Sequence, residues 1–169
     1  GAVGQTTSLK TLTLTNSNGA TFNSAVTTGT SVVLSDTVAG QTIRFADNLS
    51  TPVLTTTAHG YHLELLGTAT NVSAANTTTT FLNTGNLVLG NSAGDTLTFV
   101  GGLTATAPTT INAAGTVNTS NTAMSLGDSN TALTLTADVT LNTAGGSLTL
   151  GGAVNGSTVN TESLSLNAG

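Results

Sequence analysis

The 169-residue sequence contains no cysteine and no tryptophan. Disulfides and thiolate metal sites are therefore excluded, and a hydrogen-bond ladder and core packing must hold the fold. Charge is nearly as scarce, at 5% of residues against roughly 25% in an ordinary soluble domain. Lys10 and Arg44 are the only cations, facing seven acids for a net charge of −5. No basic stripe exists to neutralise a phosphate backbone, so nucleic acid is not an expected partner. There are two prolines, four phenylalanines and one tyrosine, which points to a narrow core built mostly of aliphatic side chains. No apolar run approaches the roughly 18 residues of a membrane span, and the opening Gly1-Ala2-Val3-Gly4 does not read as a signal peptide.

What fills the chain instead is Thr, Ser, Asn and Gly around a hydrophobic fraction of 37%. Disordered chains are rich in charge and proline, so this composition predicts a folded chain. Apolar and small polar residues alternate along its whole length, as in Leu12-Thr13-Leu14-Thr15, Leu97-Thr98-Phe99, Leu133-Thr134-Leu135-Thr136 and Leu148-Thr149-Leu150. A period of two means strands with one buried face. Turn residues separate them, among them Asn16-Ser17-Asn18-Gly19, Asn91-Ser92-Ala93-Gly94, Gly101-Gly102 and Asn142-Thr143-Ala144-Gly145-Gly146. Tyr61 to Leu66 is the best helix candidate, and it reads equally well as a strand.

A motif Leu/Ile-Asn recurs at Leu82-Asn83, Ile111-Asn112, Leu141-Asn142 and Leu166-Asn167, with steps of about 25 to 30 residues. This predicts an all-β chain forming a single unit over residues 1–169, a parallel β-helix with irregular coils of about 25–30 residues and five or six coils in all. An antiparallel β-sandwich fibre subunit is the alternative. In a solenoid the repeated Asn83, Asn112, Asn142 and Asn167 would stack as a corner ladder. Gly1-Ala2-Val3 and Ser8-Leu9 resemble Gly152-Ala153-Val154 and Ser163-Leu164, as if the last coil restarted the first. One segment of a longer array, or end-to-end polymerisation, is the expectation.

The stretches Gly1 to Leu9, Ala20 to Thr28, and Gly151 to Val154 with Leu164 to Gly169 resemble the repeats of filamentous-haemagglutinin-like adhesins and autotransporter passengers. That resemblance implies export, a right-handed parallel β-helix, and a role in attachment, aggregation or matrix building at the cell surface. Self-association and host or matrix glycans or proteins are the partners it implies. Residues 44–76 depart from the repeat pattern, which predicts an inserted loop or an irregular coil there.

Chemistry-bearing residues are few. His59, His62 and Glu64 form the densest cluster, yet metal binding wants three or four ligands at suitable spacing. Asp36, Asp47, Asp95, Asp128 and Asp138 are scattered among turn residues, unlike the paired carboxylates of glycan-cleaving β-helices. Catalysis, cofactors and metals are not expected. Asn48, Asn71, Asn76, Asn118 and Asn155 each begin an Asn-x-Ser/Thr triplet, the acceptor pattern for glycosylation. Thr104 and Thr106, Thr134 and Thr136, and Ser163 and Ser165 align at about 30-residue steps. On a solenoid such rows would make a hydroxyl grid suited to ice or glycans. The expected function is a structural or adhesive solenoid segment; the alternatives are an ice- or glycan-binding module and a strand-exchanging pilus-like subunit.

Overall fold

The computed structural model describes Gly1–Gly169. It contains no helix, and its named strands pair in parallel throughout. The chain winds into a β-solenoid of about seven turns, so the antiparallel sandwich is excluded as the architecture.

Each turn contributes to three faces in a fixed order. Sheet 1 holds Leu9–Leu14, residues 31–34, Val53–Thr56, Thr79–Thr80, Leu103–Ala105, Met124–Leu126 and Leu148–Leu150. Sheet 2 holds Ala20–Phe22, Thr42–Phe45, His62–Leu65, Asn86–Leu89, residues 110–113, residues 133–135 and Val154–Gly156. Sheet 3 holds residues 26–28, Leu49–Thr51, Ala69–Val72, Thr96–Phe99, residues 116–119, residues 139–142 and Leu164–Asn167. Three long strands, Val26–Leu34, Thr110–Thr119 and Leu133–Asn142, run round a corner from one face to the next. In Thr110–Thr119 the corner falls at Gly115, with φ +78, where a Cβ would lie 2.3 Å from the Asp95 carbonyl oxygen of the coil before. Only glycine accommodates both that backbone and that approach.

Alternation explains the faces. Inward positions carry the apolar residues, giving columns such as Ile43, Leu63, Leu87, Ile111 and Leu133 on sheet 2. On sheet 3, Leu97, Val117, Leu141 and Leu166 stack in the same way. A single core cluster of 28 buried residues results. Burying each such aliphatic side chain contributes roughly 1.5–3 kcal/mol. The aromatics are placed along this interior: Phe22 stacks on Phe45 with ring centroids 4.9 Å apart, and Phe81 meets Phe99 edge-on at 5.8 Å.

The ladder of sheet 1 is interrupted between Val53–Thr56 and Thr79–Thr80. There the buried Thr56 hydroxyl spans the gap, donating to the Thr80 carbonyl at 3.1 Å and accepting from the Leu82 N–H at 2.7 Å.

Two expectations need correction. Register partners lie 19 to 27 residues apart, mostly 20 to 24, so the coil is shorter than the 30-residue step and there are more coils than five or six. A step of about 30 residues is a coil of about 23 plus one third of a turn, which carries a motif up one coil and on to the next face. Second, residues 44–76 contain no inserted loop; five short strands between Thr42 and Val72 keep the three-face order. Their sequence departs from the repeat because Arg44, His62 and Glu64 occupy outward positions, which packing does not constrain. Of the two readings of Tyr61 to Leu66, helix or strand, the strand holds, as His62–Leu65 with Tyr61 buried before it.

Candidate functional surface

The outward positions form columns as regular as the inward ones. On sheet 3 one column runs Ala69, Thr96, Thr116, Thr140, Ser165, and a second runs Ser50, Asn71, Thr98, Asn118, Asn142, Asn167. None of these residues is charged. Sheet 1 is similar, with Thr80, Thr104, Ser125 and Thr149 in one outward column. Sheet 1 carries one exposed cation, Lys10 in its first strand, and sheet 2 carries a charged pair in the outward column Thr21, Arg44, Glu64, Val88, Asn112, Thr134, Asn155. Arg44 and Glu64 form an ion pair there through Nε and Oε2, and the hydrogen bond to Glu64 raises the guanidinium above its ordinary value.

The six hydroxyl residues aligned by sequence do not form one grid. Thr104 lies on sheet 1, Thr134 on sheet 2 between Asn112 and Asn155, and Ser165 on sheet 3 beside Thr140. Thr106, Thr136 and Ser163 are exposed, Thr106 and Ser163 just outside strand ends and Thr136 within Leu133–Asn142 where it turns the corner; the Thr136 hydroxyl donates to the Ala113 carbonyl, and the Ser163 N–H donates to Asp138. The one-third-turn offset accounts for this dispersal. It also distributes the four asparagines. Asn142 and Asn167 stack on sheet 3, where their other companion is Asn118. Asn112 faces outward on sheet 2. Asn83 is buried at the corner before sheet 2, donating to the carbonyls of Tyr61 and Asn86.

A corner device went unnoticed in the sequence. Thr119 and Thr143 are buried at the end of sheet 3, and their hydroxyls donate to the carbonyls of Thr122 and Gly146, three residues on. Thr51 does the same towards Val53. Each closes a turn from within, satisfying a carbonyl that the ladder leaves free. The signal was a Thr directly after Asn118 and Asn142, at the point where the strand leaves its face.

Apart from Glu64 and Asp138, which lie within strands, the acids sit at turns and loops. Asp95 is buried and accepts from the N–H groups of Asn91 and Ser92 at 2.8 and 3.0 Å. Asp128 accepts from the Asn130 N–H, which with Thr131 holds its carboxyl below the ordinary value. Glu162 receives Ser157 Oγ at 2.6 Å and the Thr158 N–H, with the same effect. His59 lies 3.7 Å from Asp36 at an exposed corner. No group of three or more His, Asp or Glu is arranged to hold a metal ion. Of the triplet asparagines, Asn71, Asn76 and Asn155 are exposed, while Asn48 and Asn118 are half-buried.

The surface is thus a set of flat, ribbed faces with no ligand-sized cavity. No protein-family profile matches the chain, nor does any curated protein or solved structure. The chain is a repeat β-helix protein. Its faces and its columns are the features from which a role can be read.

Proposed function

We propose that this β-solenoid is a structural and adhesive segment working outside the cell, as the stalk of a large surface adhesin or as the subunit of a self-assembling fibre. One observation carries the reading: the columns continue without a break into the last coil, where Leu166 stands on Leu141 and Asn167 on Asn142. Leu166 is 54% exposed while Leu141 beneath it is fully buried. Leu148, Leu150, Val154 and Leu164 of the same coil are half-buried and pack on the core. A further coil, from a neighbouring repeat or another copy, would cover these side chains and extend three ladders at once.

Low charge on sheets 1 and 3 supports lateral association as well. The partners in this reading are other coils of the same kind and host or matrix glycans or proteins. It includes no catalytic step and no cofactor. The reading is tested by displaying the segment on a non-adherent cell and measuring aggregation and attachment. Aggregation that is lost on Leu150→Glu and Leu166→Glu supports it, and indifference to both substitutions contradicts it.

A second reading has one specific observation in its favour, the paired outward columns Thr96, Thr116, Thr140, Ser165 and Thr98, Asn118, Asn142, Asn167 on sheet 3. Such a flat array of hydroxyls and amides suits ordered water or a glycan surface. Thermal hysteresis abolished by Thr116→Lys would favour it over the structural role.

A further inference from the structure

Where His62–Leu65 meets Asn86–Leu89 in the next coil of sheet 2, a side chain stands in for a carbonyl. The backbone N–H of Asn86 donates to His62 Nδ1 at 2.8 Å. An imidazole nitrogen accepts only while it carries no proton, so this contact requires neutral His62 with its hydrogen on Nε2. Gly85 lets the ring approach: a Cβ there would lie 2.9 Å from His62 Nδ1 and 2.3 Å from the Tyr61 carbonyl oxygen. The same residue, Asn86, ties in the following coil, because Thr110 Oγ1 donates to Asn86 Oδ1 at 2.8 Å. Buried Asn83 completes the corner by donating to the carbonyls of Asn86 and Tyr61 at 3.3 and 3.4 Å. Three successive coils are therefore joined at Asn86, the first two of them through one imidazole acceptor.

We propose that His62 is an acid-sensitive latch on the corner Asn83–Asn86. Protonation at Nδ1 turns the acceptor into a donor aimed at the Asn86 N–H, and the coils of His62 and Asn86 lose one of their two side-chain ties at that corner, the Asn83 bond to the Tyr61 carbonyl being the other. The surrounding charged groups do not override this. Glu64 lies two residues along the same face and Arg44 comes from the preceding coil, but these two are paired with each other. Thr42 and Asn86 are the register neighbours of His62 and carry no charge. Tyr61 points into the core, and Asp36 and His59 sit at the corner before it. His59 has the opposite sense, since protonation strengthens its contact with Asp36. The latch is closed while His62 Nδ1 carries no proton and accepts the Asn86 N–H, and it opens when acid protonates that nitrogen. The latch depends on this corner alone and operates whether or not the solenoid belongs to an adhesive fibre.

The test is nuclear magnetic resonance of the full chain, following the imidazole nitrogens of His62 and the hydrogen exchange of the Asn86 amide from about pH 7.5 to about pH 5. The expected result is an unprotonated Nδ1 at neutral pH and, as His62 titrates, a loss of Asn86 protection on the order of tenfold beyond the change in intrinsic exchange. His62→Leu should show low protection at every pH, and His59→Ala should keep the step. If the leucine variant does not fold, the measurement on the unaltered chain still decides. A protonated Nδ1 at neutral pH, or Asn86 protection without a step while His62 titrates, would overturn the proposal.

Discussion

Asn142 Nδ2 donates to Asn118 Oδ1 one coil away at 3.1 Å, and Asn142 Oδ1 accepts the N–H of Ala144 at 3.1 Å. One side chain thus ties two coils together and closes its own turn. Asn142→Ala removes both bonds and should cost about 1–2 kcal/mol in urea unfolding. Asn112→Ala, at an outward position on sheet 2, should stay within about 0.5 kcal/mol.

Thr70 interrupts an aliphatic column, standing between Leu49 and Leu97. It is buried, and its hydroxyl has no hydrogen-bond partner. Thr70→Val keeps the shape and removes the unpaired group, so it should raise stability by about 1 kcal/mol. A lower urea midpoint for this variant would contradict the placement of that side chain inside the solenoid.

The corners set how closely coils approach. A Cβ on Gly146 would lie 2.2 Å from the Thr122 carbonyl oxygen of the preceding coil, whereas one on Gly94 meets nothing within 4 Å. Gly146→Ala should therefore cost at least about 2 kcal/mol. Gly94→Ala should be nearly neutral, and thermal unfolding of the pair provides the comparison.

Tyr61 is the only tyrosine and is fully buried. Burial raises its hydroxyl above the ordinary value, although the Thr57 N–H pointing at it works the other way. The sign comes from the raised value. Its contribution to stability is complete below the unfolded value, near pH 10, and is lost as the pH rises through the higher folded one. Alkaline unfolding should accompany the appearance of tyrosinate absorbance. Tyr61→Phe should remove that part of the alkaline loss.

The composition and alternation of this chain were enough to give strands and a narrow aliphatic core, whereas the parallel solenoid came from the recurring Leu/Ile-Asn motif. The coil length was harder to read because the 30-residue motif step mixes translation along the axis with rotation to the next face. Thr104, Thr134 and Ser165 illustrate this: they share a motif yet lie on sheets 1, 2 and 3. Asn118 joined the ladder without standing in a Leu-Asn pair, since what matters is its register with Asn142. The contact of His62 with Asn86 was equally hidden. Twenty-four residues separate the two, and only the coil spacing brings them together.

Electron microscopy of the purified chain across a concentration series, with diffraction from any fibres, tests the structural role most directly. The account predicts filaments that grow in steps of one chain, roughly 35 Å for about seven coils, with an axial spacing near 4.8 Å. Compact particles of low axial ratio at every concentration would contradict it.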